Sequence, residues 1–175
     1  GVPSSALRSL PLSFGRVGYR EVFSLRLPTA LARLPEEIGN LGSLIKLSLT
    51  GSAIRSLPPS VGRLRSLKEL DLGYTYNLTS LPEEIGDLGS LIKLRLNCSA
   101  VTSLPPSIGR LRSLEELDLD CTKHMTSLPE EIGNLGSLIK LSLNYSEISS
   151  LPPSIGRLRS LEELDIYQNK KLTSL

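Results

Sequence analysis

The sequence predicts an α/β solenoid with a curved parallel β-sheet on its concave side and short helical or 3-10 turns on its convex side. The main observation is a Leu-Pro pair that recurs at one register, beginning at Leu34, Leu57, Leu81, Leu104, Leu128 and Leu151. The step from each leucine to the next alternates between 23 and 24, so two unlike half-units together make one true period of 47. Such self-similarity is typical of repeat architectures, in which each unit buries its apolar face against its neighbours.

The repeat divides the chain into two parts. Residues 34–175 contain six units whose lengths alternate between 23 and 24. Residues 1–33 are expected to form a degenerate first repeat and N-terminal cap, because the segment 10–17 matches the segment 57–64. Arg20 stands where a core leucine is expected, so we expect this first repeat to be distorted.

The strand of each unit is predicted from alternating leucines. In Leu47-Ser48-Leu49 the two leucines point to one face and the serine to the other, as a short strand requires. Because every unit repeats the same motif, successive strands must run parallel in one sheet. Each unit is long enough to contain both the strand and the crossover of about a dozen residues that parallel pairing needs.

The return segment of each unit is predicted to be one short helical turn. In Pro35-Glu36-Glu37-Ile38-Gly39 the proline stands where a missing N–H costs little, and the acidic residues lie near the positive end of the helix dipole. Strands stack more closely than helices, so the sheet lies on the concave side. The expected core comprises one position set in every unit, which in the first full unit is Ile38, Leu41, Leu44, Leu47, Leu49 and Ile54.

The motif Leu44-x-x-Leu47-x-Leu49 with Ile54, and each of its counterparts, resembles the leucine-rich-repeat family. The alternating unit lengths resemble the repeats of plant intracellular immune receptors. The Leu-Pro-x-x-Ile-Gly-x-Leu segment is also similar to plant intracellular Ras-group-related and Scribble-type repeats. These resemblances imply recognition or scaffolding in the cytosol.

One turn position departs from the family pattern. The family usually has asparagine three residues after the last leucine of the strand, where its side chain bonds to backbone. Here hydroxyl residues occupy that position in all units but the last, forming a Ser/Thr ladder of Ser52, Thr75, Ser99, Thr122, Ser146 and finally Asn169. We expect the hydroxyls to replace asparagine in part and to hold the turns more weakly.

Composition and charge exclude several classes of function. The balance of 20 basic and 18 acidic residues gives no reason to expect nucleic acid or a membrane surface as a partner. Charged residues interrupt every apolar run, and no signal peptide is visible at the N-terminus. Only Cys98 and Cys121 are present, which favours a reducing compartment and a cytoplasmic location.

Residues that point outward from the strands form three rows across the predicted concave face. The first row alternates lysine and glutamate and is expected to neutralise itself. The second and third rows vary between otherwise near-identical units, as a recognition surface would, although unselected drift gives the same picture. The candidate partner-binding residues are those of the varied rows and the adjacent tyrosines, namely Tyr74, Arg95, Asn97, Asp118, Asp120, Asn144, Tyr145 and Tyr167.

Other candidate chemistry is weak. Cys98, Cys121 and His124 have ligand types suited to a metal but no apparent fourth ligand, and the parallel placement of the two cysteines is awkward for a disulfide. N-glycosylation sequons, Asn-x-Ser/Thr, begin at Asn77, Asn97 and Asn144, and those at Asn97 and Asn144 follow from the Ser/Thr ladder. With one histidine and no phosphate-binding loop, we expect no catalytic site, no resident metal and no cofactor.

The sequence therefore predicts a non-catalytic module that binds a protein partner on its concave face. Two alternatives are a structural or designed repeat spacer without a specific ligand, and an extracellular recognition domain. The last register position is Leu175, directly after an apolar strand. We expect the protein to continue beyond it or the chain to self-associate through an open C-terminal edge.

Overall fold

The computed structural model describes residues 24–26 and 29–173 of the chain. It confirms the predicted solenoid. Three-residue strands pair in sequence order into one parallel sheet within the described part. The strands are β1 (Ser24–Arg26), β2 (Lys46–Ser48), β3 (Glu69–Asp71), β4 (Lys93–Arg95), β5 (Glu116–Asp118), β6 (Lys140–Ser142) and β7 (Glu163–Asp165).

A short 3-10 helix lies on the opposite, convex side of each unit and precedes each strand from β2 onward. These helices span Glu36–Asn40, Pro59–Arg63, Glu83–Asp87, Pro106–Arg110, Glu130–Asn134 and Pro153–Arg157. Each begins after an extended proline such as Pro35, whose carbonyl oxygen accepts the first helical hydrogen bond from the amide of Ile38 at 3.1 Å. The predicted brief helical turn is therefore confirmed.

A glycine in the 3-10 helices permits close packing of neighbouring units. A Cβ atom added at Gly86 would overlap the carbonyl oxygen of Ser107 in the next unit. Gly89, just beyond the same helix, has no atom within 4 Å of an added Cβ. In the Ile-Gly pair of the repeat, the isoleucine is thus a core side chain, and the glycine allows the backbones of neighbouring units to come into contact.

The core is an aliphatic column between the sheet and the 3-10 helices. The positions predicted for the first full unit are buried: Ile38, Leu44, Leu47, Leu49 and Ile54 are fully inaccessible, and Leu41 is 8% exposed. Their counterparts continue the column through the next four units. Each unit contributes the same side chains, so stability is a sum of contacts between neighbours.

The start of the sheet departs from the regular repeat. Leu25 pairs with Leu47 in register, so the two strand centres are 22 residues apart, whereas the alternation predicts 24. The first unit is therefore shorter at this step. Residues 1–23 of the predicted N-terminal repeat, including Arg20 and the segment 10–17, lie outside the described residues, as do residues 27 and 28.

The last strand has a neighbour on one side only among the described residues. The hydrophobic residues Ile155, Leu161, Leu164 and Ile166 are only partly buried there, whereas their counterparts in the preceding unit, for example Leu141 and Leu143, are fully buried. The predicted apolar edge is thus present in the described part of the chain, while self-association through it stays a prediction.

Candidate functional site

The first row of the concave face is paired as expected. Lys46 Nζ lies 2.6 Å from a carboxylate oxygen of Glu69, Lys93 Nζ lies 2.7 Å from Glu116, and Lys140 contacts Glu163. Hydrogen bonding from Lys46 lowers the pKa of Glu69. These exposed pairs align neighbouring strands and neutralise each other, contributing about 0 to 1 kcal/mol each.

The second and third rows form a shallow concave depression of about 510 Å³. Four of the predicted partner-binding residues line it together: Arg95, Asp118, Asp120 and Asn144. The strand register also brings residues outside the predicted set into this lining, namely Lys93, Glu116, Leu117, Lys140, Ser142 and Asp165. Asn97 lies at the margin, its side-chain oxygen 2.6 Å from where a Cβ of Gly73 would be.

Asp120 is bound into the framework more firmly than an exposed strand residue. Its Oδ1 accepts hydrogen bonds from the hydroxyl of Ser142 at 2.7 Å and from the backbone N–H of Asn144 at 2.8 Å. Its Oδ2 accepts a third from Asn144 Nδ2 at 3.3 Å. Asn144 Oδ1 in turn accepts from the backbone N–H of Tyr167 at 2.8 Å. The third row therefore joins successive units. Asp120 and Asn144 stabilise the fold, in addition to any contact that they make with a partner.

The side chains of Arg95 and Asp118 form no salt bridge and no hydrogen bond to another unit among the described residues. Arg95 lies between Asp71 and Asp118 in the strand register, and no residue that the structure describes forms a salt bridge with it. Asp118 Oδ1 accepts one hydrogen bond from the backbone N–H of Asp120 at 3.0 Å. Burial raises the pKa of Asp118, and the Asp120 carboxylate adds to the effect.

The predicted tyrosines lie at the rim of the sheet as two edge-to-face pairs. Tyr145 and Tyr167 have ring centroids 5.7 Å apart, and Tyr74 pairs at 6.4 Å with Tyr76, which lies outside the predicted set. All four rings are exposed, by 46% to 68%. Large rings with a polar tip, half open to solvent, are suited to anchoring a protein partner.

Each residue directly after the third row has a left-handed backbone. The φ angles are 57° at Tyr74, 55° at Cys98, 57° at Cys121 and 56° at Tyr145. Among the described units, the first full unit alone has glycine there, Gly51. Non-glycine residues adopt this conformation at a cost of about 1 kcal/mol or more. The turn thus fixes the direction of the rim side chains, including both cysteines.

The Ser/Thr ladder is divided by unit length. In the longer units Thr75 and Thr122 donate from Oγ1 to the carbonyl oxygens of Leu72 and Leu119, at 2.6 and 2.7 Å. The hydroxyls of Ser52 and Ser99, in the shorter units, are buried without a hydrogen-bond partner among the described residues. The expectation that the hydroxyls replace asparagine in part is confirmed for Thr75 and Thr122, whereas Ser52 and Ser99 make no such bond within the described residues.

Asn169 ends the ladder with the residue that the family pattern favours. With its amide nitrogen facing the carbonyl oxygens of Ile148 and Ser146, at 3.0 and 3.1 Å, Asn169 accepts a hydrogen bond from the Ser146 hydroxyl at 2.9 Å. An amide therefore satisfies two carbonyl groups and one hydroxyl where a hydroxyl side chain satisfies one carbonyl.

Cys98 and Cys121 are free thiols on neighbouring units. Burial raises the pKa of the Cys98 thiol to about 11, and the adjacent Cys121 adds to the shift. Both cysteines line a side cleft of about 380 Å³ together with Tyr76, Ser99, Ala100, Lys123 and His124. Within residues 24–26 and 29–173, no group of three or more His, Cys, Asp or Glu side chains converges as a metal site.

A column of parallel strands with a varied concave face places the chain among the repeat proteins. Two family models match it, one described as a leucine-rich repeat region over residues 22–96 and one as a leucine rich repeat over residues 112–170. The two matches cover most of the chain and agree with its fold, so the chain belongs to the leucine-rich-repeat superfamily. No curated protein sequence matches it. No helix in the described part of the chain has the length and apolar character to cross a membrane.

Solved structures show the same fold. A leucine-rich-repeat protein of Leptospira interrogans is 27% identical, with a TM-score of 0.74 over 99% of this chain and 58% of its own. A plant peptide hormone receptor in complex with RGF2 is 32% identical, with a TM-score of 0.76 over 91% of this chain and 26% of its own. The Toll–Spatzle complex of Drosophila gives a TM-score of 0.80 at 24% identity, over 91% and 22%. The chain thus spans less than two thirds of the length of each of these proteins.

Proposed function

We propose that the chain is a non-catalytic recognition module that binds a protein partner on its concave face, within a larger cytoplasmic protein. One observation carries the proposal: residues that vary between near-identical units, Arg95, Asp118, Asp120 and Asn144, lie together in one depression. The surrounding framework repeats nearly unchanged from unit to unit. A fixed scaffold with varied exposed positions is suited to recognition, because partner contacts can change without changing the fold.

The charges of the depression favour a basic or amide-rich segment of the partner. Lys93 is paired with Glu116, and Lys140 lies within reach of both Glu163 and Asp165. The charged groups of the lining outside these pairs are Arg95, Asp118 and Asp120. One positive and two negative charges leave an excess of one negative charge. Complementary charge on a partner would improve both specificity and association rate.

The rim tyrosines would supply the apolar part of the contact. Tyr74, Tyr145 and Tyr167 are exposed. The left-handed turn holds Tyr74 and Tyr145, and each of the three rings is in an edge-to-face pair. Aromatic residues held in one conformation lose little entropy on binding and are enriched among the residues that dominate interface energy. We propose that these rings border the contact while the depression determines its charge.

We further propose a parent protein of the plant intracellular immune receptor or Scribble-like type, with a part in signalling. The alternating lengths of the units and the Leu-Pro-x-x-Ile-Gly-x-Leu segment support this context. Free cysteines are compatible with a reducing compartment. The plant peptide hormone receptor was solved in complex with RGF2, which supports, by analogy, a polypeptide as the partner.

Matched double variants test the proposal. Arg95→Ser with Asp118→Asn removes one charge of each sign from the depression and keeps an acceptor oxygen at residue 118 for the Asp120 amide. Arg65→Ser with Glu84→Gln does the same on the convex side, where both residues line a separate depression. The measurement is a pull-down from a lysate of the source cells. Proteins that the wild-type chain captures should be lost with the concave double variant and retained with the convex one. Capture that survives the concave variant would contradict the proposal and favour a spacer or a convex site.

A further inference from the structure

The two cysteines are held level with each other on neighbouring units. The backbone N–H of Cys98 donates to the carbonyl oxygen of Asp120 at 2.8 Å, and that of Cys121 donates to Asn144 at 2.8 Å. Both residues have the same left-handed backbone, with φ of 55° and 57°. Equivalent residues in the same conformation direct their side chains in parallel. Cys98 and Cys121 therefore lie side by side on adjacent units, with their backbones about one strand spacing apart.

That spacing suits a bridging metal ion better than a disulfide. Parallel strands are about 4.7 to 4.9 Å apart, whereas a disulfide needs its Cβ atoms about 3.5 to 4.5 Å apart and its sulfurs about 2.05 Å apart. If the zinc–thiolate bond length of roughly 2.3 Å is taken for a soft metal ion, two sulfurs lie about 3.8 Å apart at a tetrahedral angle and about 4.6 Å apart in a linear arrangement. Two parallel thiolates on adjacent units need little movement to reach the sulfur–sulfur separation of the linear arrangement.

The cleft beside the cysteines determines which ion they would take. It is about 380 Å³ in volume and open to solvent, and Lys123 and His124 line it with both thiols. No third ligand converges with them in the described part of the chain, so the four ligands of a structural zinc site are not assembled. Thiolate ligands select soft ions, and Cu(I) accepts two of them in a linear arrangement.

We propose that Cys98 and Cys121 form a two-thiolate binding site for Cu(I). On binding, each Sγ–H bond breaks and each sulfur forms one bond to copper. Two thiols and one Cu(I) thus give a complex of net charge −1 and two released protons, without any change of oxidation state. Lys123, which is exposed at the cleft, partly balances that charge. The site is separate from the concave depression and does not depend on the proposed partner.

The test uses Cu(I) itself, supplied anaerobically from a chromophoric Cu(I) chelator to the whole chain. The wild type should take one equivalent of copper from the chelator and gain the ultraviolet charge-transfer absorption of a copper thiolate. Cys98→Ser and Cys121→Ser should each weaken binding by about 100-fold or more, beyond the 10- to 100-fold cost of losing an outer partner of a metal ligand. Ser99→Ala, a change in the same cleft that removes no thiol, should bind as the wild type does.

Tyr145 allows the geometry to be tested by moving one thiol to another unit, because it has the same backbone conformation one unit further on. Cys98→Ser with Tyr145→Cys again places two thiols on adjacent units and should restore binding. Cys121→Ser with Tyr145→Cys separates them by two units and should not. Thermal unfolding checks that each variant is folded. Copper uptake by the wild type equal to that of the single serine variants, or equal uptake by both tyrosine variants, would overturn the proposal. So would conversion of the wild type to an intramolecular disulfide without copper binding.

Discussion

Thr122 Oγ1 donates a buried 2.7 Å hydrogen bond to the carbonyl oxygen of Leu119, three residues earlier in the same turn. At the equivalent position one unit before, the hydroxyl of Ser99 is buried without a partner among the described residues. The Ser99 amide donates to the carbonyl oxygen of Leu96 at 3.0 Å, as the Thr122 amide does to that of Leu119 at 3.3 Å, so the two turns differ only in the hydroxyl bond. The two hydroxyl residues of one sequence ladder therefore contribute differently to the turns that follow the strands.

Thr122→Val should lower the free energy of unfolding by about 1 to 3 kcal/mol, because it keeps the side-chain shape but removes a buried hydrogen bond. Ser99→Ala should leave stability unchanged or raise it slightly, since it removes a buried hydroxyl that has no partner in the described part of the chain. Urea unfolding of the two single variants measures the difference. Equal losses in both would contradict the division of the ladder.

Asp120→Ala should also destabilise the chain by about 1 to 3 kcal/mol, because the backbone N–H of Asn144 and the hydroxyl of Ser142 lose their acceptor. This replaces the general expectation that an exposed strand position tolerates substitution within about 0.5 kcal/mol. Asp120→Asn keeps an acceptor oxygen and serves as the control. Denaturation midpoints that fall equally for both variants would assign the loss to the charge instead of the hydrogen bonds.

Sequence reasoning located the strands, the 3-10 turns and the core because alternating leucines and Leu-Pro pairs recur in every unit. It selected Asp120 as exposed but missed its bonds, since these depend on Ser142 and Asn144, 22 and 24 residues later. The pairing of Tyr76 with Tyr74 depends on the left-handed backbone at Tyr74, and a tyrosine gives no sequence signal for that conformation. The short spacing between the strand centres Leu25 and Leu47 was also not predicted, because the degenerate first repeat does not specify the register in which β1 pairs with β2.

Gly86→Ala should destabilise the solenoid by about 1 to 3 kcal/mol, the usual cost of overpacking. The new Cβ would overlap the carbonyl oxygen of Ser107 and would separate two neighbouring 3-10 helices. Gly89→Ala is the matched control in the same unit, where an added Cβ meets nothing within 4 Å. That variant should be neutral or more stable by up to about 1 kcal/mol through reduced freedom of the unfolded chain. Thermal unfolding of the two alanine variants that gives the reverse order would show that the helices can separate without cost.

Asp118 should make the wild type relatively more stable as the pH falls. Burial raises the pKa of this carboxyl above its ordinary 3.8, so the folded protein holds the proton more tightly than the unfolded chain does. The stabilising effect is complete below pH 3.8 and is lost as the pH rises through the raised value. Against Asp118→Asn, which does not titrate, the wild type should therefore gain stability from neutral pH downward. Unfolding curves of both proteins across that range provide the measurement, and a constant difference would show that the carboxyl is not shifted.

The open edge at β7 should make residues 1–175 associate as concentration rises. In the described chain the backbone N–H of Ile166 has no partner, whereas the equivalent Leu143 donates to Asp165 at 2.7 Å. Leu161 and Leu164 beside it are partly exposed. A free strand edge next to apolar side chains pairs readily with a second copy. Light scattering should show the average mass increasing with concentration. Ile166→Lys, which places a charge at the edge, should reduce that increase, whereas Arg65→Ser on the convex side should not. A wild-type mass that stays monomeric at every concentration, with the fold intact by circular dichroism, would reject self-association through this strand.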